Sequence, residues 1–328
     1  MVYYSGVNTQ VLIGQEVTAF GTAATADKTV GGHISNFNTT ERNTLERVFS
    51  LGKRDAQDIV TKAYEASGSI DYAYQNGRLL AYAIGTSGAP TGTGPYTHTI
   101  VIGDELESFT MEVNHESTND ISRIYTGCKI SQISLSGGFD EPLKCSADWM
   151  AKSVSVSSAA PQTFTPDTEN VLAPQYGAVE YPDGTAIGTV QSFELTISNE
   201  LDYIRRLGAR VAQAGIAKQR TLDFRMTINF DETEGIALYK QFLEDAATPF
   251  TPTTGEVAGE SLVIEFDNGL AGDLQRKITV DLAGARYDEL SIPVAVDGIV
   301  TADVTAQMTA FDTSAIVILD GQSTAYLA

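Results

Sequence analysis

Alternation of apolar and polar residues dominates this chain. Across 222–230, Leu222, Phe224, Met226, Ile228 and Phe230 are interleaved with Asp223, Arg225, Thr227 and Asn229. Val190, Phe193, Leu195 and Ile197 stand against Ser192, Glu194 and Thr196, and Phe109, Met111 and Val113 against Ser108, Thr110, Glu112 and Asn114. Val300, Ala302, Val304, Ala306 and Met308 alternate with Thr301, Asp303, Thr305 and Gln307. A period of two sends successive side chains to opposite faces of a strand. These segments therefore predict half-buried antiparallel strands, one face in a core and the other toward water or a neighbour. Two stretches break the rule. Asp231-Glu232-Thr233-Glu234 leads into Ile236–Leu243, with acids first and apolar residues at helical spacing, and Asn76–Ile84 is its counterpart.

The pattern occurs twice. Shifting the chain by 156 positions, so that 34 meets 190, lays residues 34–54 on 190–210: Ile34 on Val190, Phe37 on Phe193, Asn43 on Asn199, Leu45 on Leu201. The same shift lays Ile70, Tyr72 and Tyr74 on Met226, Ile228 and Phe230. One further residue of offset matches Leu79 and Tyr82 with Ile236 and Tyr239, and Gly127, Ile133 and Leu135 with Gly284, Leu290 and Ile292. Leu143, Cys145 and Ala147 fall on Val300, Ala302 and Val304. Such a period exceeds the roughly 20–50 residues of solenoid repeats. The expectation is a mainly β chain: two tandem copies of an antiparallel β-sandwich or barrel domain, each with one packed α-helix. The copies span 31–155 and 188–312. A sparsely periodic arm (1–30) precedes them, a linker (156–187) separates them, and an apolar tail (313–328), with Ile316–Leu319, is placed to add a strand.

The length suits two domains of ordinary size. Forty-two acidic against 21 basic residues give a formal charge of −21, which argues against binding to nucleic acid or an anionic membrane. A host with salty cytoplasm would also suit such acidity. No apolar run approaches the ~20 residues of a membrane-spanning helix, and the N-terminus has no signal-peptide pattern. Two cysteines make no disulfide framework. Cys128 and Cys145 flank the turn Gly137–Pro142 at unequal distances, which predicts buried free thiols.

Catalytic chemistry is not evident. His33, His98 and His115 lack metal-ligand spacing. The glycine-rich run 85–95 has no Gly-Lys-Ser/Thr ending and follows a helix, so it reads as a flexible loop rather than a phosphate cradle. Ser50-Leu51-Gly52-Lys53 matches Ser-x-x-Lys, but the other copy reads Arg206-Leu207-Gly208-Ala209. Nothing implies a cofactor or a metal, and the chain does not read as an enzyme.

Three elements resemble the tail tube (major tail) proteins of long-tailed, siphovirus-like phages and related archaeal tailed viruses. The opening Gly14-Gln15-Glu16-Val17-Thr18-Ala19-Phe20-Gly21-Thr22 is similar to an acidic-then-Phe/Tyr-Gly-Thr signature that begins many of them. The Leu-Gly-x-Arg element, carried by Leu51, Gly52 and Arg54 and again by Leu207, Gly208 and Arg210, resembles the element after their first long strand; a strand beginning near Gly68-Ser69-Ile70 follows it. Gly127–Ile130 through Trp149–Lys152 is similar to their terminal hairpin, although the second copy has Ala306 in place of Trp149.

The resemblance implies a structural virion protein, assembled in the host cytoplasm. Its partners would be copies of itself, stacked as rings, and other tail proteins such as the tape measure and tail-end proteins. Double-stranded DNA would pass through without specific binding, and no membrane is involved. Three chains with two domains each would supply pseudo-sixfold symmetry. The polar strand faces offer lumen candidates: Asp71, Glu112, Asp148, Glu194, Asp223 and Asp303. A β-sandwich binding module for carbohydrate or protein is the alternative. It would expose clustered aromatic residues, whereas many of the 14 tyrosines fall in alternating strands.

Overall fold

A computed structural model describes residues 9–116, 120–158, 169–181, 184–243, 259–294 and 299–327, together with 6, 167 and 252. The first half contains β1 (Thr9–Gln15), β2 (Gly32–Val48), β3 (Asp58–Tyr74), α1 (Arg78–Ile84), β4 (Gly85–Ser87), β5 (Tyr96–Ile102), β6 (Phe109–His115), β7 (Ile121–Gly138), β8 (Glu141–Ala151) and β9 (Ser153–Ser157). The second contains β10 (Gly177–Glu180), β11 (Val190–Ser198), β12 (Asp202–Ile204), β13 (Ala214–Ile216), β14 (Thr221–Asn229), α2 (Glu232–Leu243), β15 (Glu260–Asp267), β16 (Lys277–Ser291), β17 (Thr301–Met308) and β18 (Ala310–Asp320). The fold is mainly β and antiparallel.

Eight strands form one uninterrupted run, β2-β3-β8-β7-β11-β14-β17-β16. Alternation dictates its two faces. Ile70, Tyr72, Ile133, Leu135, Cys145, Ala147 and Trp149 point into the core from the first half. Phe193, Leu195, Ile197, Phe224, Met226, Ile228, Val304 and Ala306 do so from the second, and all belong to one contiguous apolar cluster. A second layer closes over that face. It holds β1, β6 and β9 around the first part of β7, and β10, β15, β18, β5 and β4 around the first part of β16.

β7 and β16 thus serve both layers, and each must bend to do so. Gly127 and Gly284 sit at the bends with φ of 64° and 65°. That left-handed conformation is open to glycine at little steric cost.

Apart from β4 and β5, which have no counterpart among the described strands of the second half, the two halves match in strand order and register. In β2 against β3, Phe37 faces Ile70 with a bulge between Ile34 and Asn36; in β11 against β14, Phe193 faces Met226 with a bulge between Val190 and Ser192. The irregularity between Ile130 and Gln132, where β7 meets β8, reappears between Tyr287 and Glu289, where β16 meets β17. One substitution pair is reciprocal. Gly68 lies opposite Trp149 in the first half, while Phe224 lies opposite Ala306 in the second. The large residue has moved across the strand pair, so the core between the layers stays filled. Trp149 is held by Phe37, stacked at 6.4 Å, and Tyr125, edge-on at 5.2 Å.

Several elements differ from the sequence expectation. The arm and the linker are not featureless: β1 pairs with β6 and β10 pairs with β15, a strand in the same place in each half. β10 has only four residues, and the consecutive buried residues of β1 show no alternation. β3 starts at Asp58, well before Gly68, because β2 and β3 continue together as a long two-stranded ribbon whose exposed positions are largely polar. The glycine-rich run is partly ordered. β4 pairs with β5, and Thr91 and Thr97 form a bridge across the turn. The apolar tail does add a strand, β18, between β16 and β5. Of the linker, 159–166, 168 and 182–183 lie outside the described residues.

Candidate assembly interfaces

A run of eight strands must end somewhere, and it ends at β2 on one side and at the last part of β16 on the other. Among the described residues, neither outer edge has a pairing strand there. The joint in the middle of the run shows what such edges do when they meet. β11 lies on β7 with Leu195 opposite Leu135 and Ile197 opposite Ile133. Phe193 covers Gly137, where a Cβ would sit 2.7 Å from the Phe193 ring.

The face of the run away from the core is hydroxyl- and amide-rich: Ser69, Ser134, Ser136, Ser146, Thr196, Thr227, Thr305 and Gln307 lie on it. Asp71, Asp148, Glu194, Asp223 and Asp303 are set among them, with Lys144 and Arg225 as the cations between. Five of the six candidate acids are therefore brought onto one face. Glu112 is not: it is buried on β6 in the second layer, opposite Leu12. Asp71 accepts hydrogen bonds from Ser146 Oγ (2.5 Å) and Asn36 Nδ2 (2.9 Å). Partial burial, and then the charge of Asp71, hold the Asp148 carboxyl above its usual range. Thr227 Oγ1 donates to Asp303 at 2.7 Å.

The repeated Leu-Gly elements are hairpin tips. Ser50-Leu51-Gly52-Lys53 closes with Lys53 N–H donating to Ser50 O at 3.2 Å, and Arg206-Leu207-Gly208-Ala209 with Ala209 N–H donating to Arg206 O at 3.3 Å. Gly52 and Gly208 have φ of 79° and 84°, the positive value that a type II turn requires at its third residue. Each leucine is thereby pushed into solvent, Leu51 at 106% and Leu207 at 102% relative exposure. Arg54 and Arg210 differ in role. The Arg210 carbonyl accepts from Tyr64 N–H (2.9 Å) and its guanidinium donates to Asn43 Oδ1 (2.5 Å), tying the second tip to the first ribbon. Among the described residues no such bond is seen for Arg54. Arg205 pairs with Glu65 at 3.3 Å in the same seam.

The N-terminal signature anchors this seam. The Glu16 carboxylate accepts from Gly21 N–H (2.7 Å), Ser108 Oγ (2.8 Å), Thr110 Oγ1 (3.0 Å) and Gly127 N–H (2.7 Å). Its acceptor-only chemistry matches four converging donors. Phe20 is thereby set 6.0 Å from the Tyr203 ring, with the Lys129 and Lys152 ammonium groups 5.7 and 5.5 Å from its centroid. Tyr203 Oη bonds the carbonyls of Gly127 (2.9 Å) and Met150 (2.7 Å), and Lys129 Nζ donates to Gly215 O at 2.8 Å. Burial draws the Lys129 ammonium below its usual pKa. Lys129 and Lys152 lie in the hairpin element singled out in the sequence, but nothing there marks them as partners of Phe20, and Tyr203 carries no motif. The fold brings them together beside the Gly127 bend and Glu16.

Among the described residues no group of three or more His, Cys, Asp or Glu side chains is arranged to hold a metal. Among the described residues no helix is long and apolar enough to cross a membrane. What is left is a layered β scaffold with exposed sheet edges, a polar sheet face and apolar turn tips. That is the equipment of a self-assembling structural protein. Residues 6–273 match the family model described as "Phage tail tube protein", so the chain belongs to the phage tail tube protein family. The family is structural rather than enzymatic, and it places the protein in the virion tail as a subunit of a tube built from copies of itself. No curated protein matches the chain.

Proposed function

We propose that residues 31–155 and 188–312 are two copies of one tube domain, and that three chains close a pseudo-sixfold ring that stacks into a siphovirus-like tail tube for DNA passage. The observation that carries the reading is the β7–β11 joint: a domain-to-domain contact already made once within the chain, flanked by two edges of the same kind. Moving its register by one copy, 156 positions on β11 and 157 on β7, places Thr39 of one chain opposite Ile292 of the next and Glu41 opposite Leu290. Eight strands from each of three chains then form one barrel with no edge left over. The polar face with Asp71, Asp148, Glu194, Asp223 and Asp303 lines its bore. A net-negative bore keeps duplex DNA from sticking, since each phosphate-pairing cation would add affinity. Leu51 and Leu207 face the next ring, and the end rings meet the tape measure and tail-end proteins.

A Thr39→Cys/Ile292→Cys variant tests the joint. Oxidation is expected to give chain-to-chain disulfides in assembled rings and none in dilute subunits. Cross-links that fail to form in rings visible by electron microscopy would refute the register. A ring mass of six full-length chains would refute the threefold arrangement. Leu51→Asp/Leu207→Asp is expected to leave rings intact and abolish long tubes.

A further inference from the structure

The two halves differ in what covers a pair of strands that their register makes equivalent. β9 pairs with the first part of β7 as β18 pairs with the first part of β16. Val156 faces Arg123 on β7, and Ile316 faces Val280 on β16, the position 157 residues on. The outer edge of β18 is taken up by β5, where Ile100 lies opposite Ile316. Ile316 is accordingly 0% exposed. β9 pairs with β7 alone among the described strands, and Val156 is 66% exposed. An apolar β-branched residue on a short, otherwise serine-rich edge strand is thus uncovered in one half, and its counterpart is covered in the other.

We propose that the outer edge of β9 at Ser155 and Val156 is a docking strand for a second copy of this chain, which pairs along it as β5 pairs along β18. The occupant follows from the order of the halves. β5 belongs to the first half and reaches the half that follows it along the eight-strand run. In a closed ring the half preceding the first half of any chain is the second half of its neighbour, so the neighbour is what reaches β9. This rests on the ring reading above. It adds to that reading a second inter-chain contact in the outer layer, made by strand addition, so that each chain grips its neighbour in both layers.

Hydrogen exchange on peptides spanning 153–157, 36–42 and 316–319 tests this, comparing dilute subunits with assembled tubes. Residues 316–319 are expected to be protected in both states. Residues 36–42 and 153–157 are expected to slow at least tenfold on assembly. Protection gained at 36–42 but not at 153–157 overturns the β9 contact and leaves the ring reading standing. Protection gained at neither overturns the ring reading and this contact with it. Full protection of 153–157 in the dilute subunit also overturns the proposal. A Val156→Asp variant gives an independent arm. Because Val156 is exposed in the subunit, the thermal midpoint of the monomer is expected to be unchanged, while the concentration needed for assembly rises at least tenfold. Assembly at the wild-type concentration would overturn the contact.

Discussion

Glu16 offers the sharpest test of what holds the N-terminal segment. Glu16→Ala removes an acceptor shared by two backbone N–H groups and two hydroxyls. The hydroxyls can rotate to other acceptors; the amides cannot. Gly127 N–H is buried, and a buried amide without a partner costs about 1–3 kcal/mol. Gly21 N–H is partly exposed, so water recovers much of its loss and it adds about 1 kcal/mol or less. The total is about 3 kcal/mol. With a urea slope of about 3 kcal/mol/M for a chain of this size, the unfolding midpoint falls by about 1 M. Glu16→Gln keeps one oxygen but turns an NH2 group toward donors, so its midpoint should fall by about half as much. The assay is urea unfolding of the unassembled subunit, followed by tryptophan fluorescence, since the one tryptophan, Trp149, lies in the first-half core. Hydrogen exchange at Gly21 and Gly127 should accelerate in both variants. A midpoint change below about 0.2 M for Glu16→Ala, or unchanged exchange at Gly127, would show that the carboxylate does not hold the segment.

Three further outcomes are expected. Gly68→Ala would place a Cβ 2.1 Å from Asn38 O and 2.6 Å from the Trp149 ring, so it should destabilise the subunit by about 1–3 kcal/mol; an unchanged thermal midpoint would contradict this. Asp148 has a raised pKa in the fold, so its share of stability is present below the unfolded carboxylate pKa and is lost as pH rises through the folded value. Asp148→Asn should therefore raise the urea midpoint at pH 7 and leave it unchanged near pH 3, and a lower midpoint at pH 7 would refute the sign. Cys128 and Cys145 are fully buried, and burial pushes the Cys145 thiol up to about 12 and Cys128 well above its usual value. A thiol reagent at pH 8 should label neither until the chain unfolds; rapid labelling of the native subunit would contradict that packing.

The strands whose alternation was legible are those with one face in the core and one outside it, such as β14 and β17. The long ribbon of β2 and β3 was harder to bound, because past Ala66 its side chains are mostly exposed on both faces and no alternation marks its length. β1 is hidden for the opposite reason, and β10 because it is only four residues long. Val11, Leu12 and Ile13 are buried in succession, which reads as an irregular apolar stretch. The acids of the polar face could be named from their strands, since a period of two fixes the side of each residue. Glu112 satisfied the same rule on β6, but β6 belongs to the other layer, and membership of a layer is set by pairings between residues far apart in the chain. The Leu-Gly tips were visible as a repeat, yet the exposure of Leu51 and Leu207 depends on turn geometry. The Glu16 anchor was visible only as a signature, because three of its donors, Ser108 Oγ, Thr110 Oγ1 and Gly127 N–H, lie far along the chain.

The β7–β11 joint has a consequence for how the subunit lives before assembly. Because it lies within one polypeptide it closes during folding, at any protein concentration, and its two sides never search for each other in solution. Selection can therefore furnish it as an interior. The equivalent positions on β2, 156 residues earlier, answer to a different demand. Where β11 carries Leu195 and Ile197, β2 carries Thr39 and Glu41. In the ring reading proposed above, the β2 side of the waiting pair is hydrophilic at these positions, whereas its β16 side keeps Leu290 and Ile292. If the chain closes rings as proposed, one fused chain lets a single strand geometry exist in two chemical versions, a permanent hinge pin and a latch. A protein of identical single-domain subunits could not hold that distinction, because every copy of its edge would have to be both.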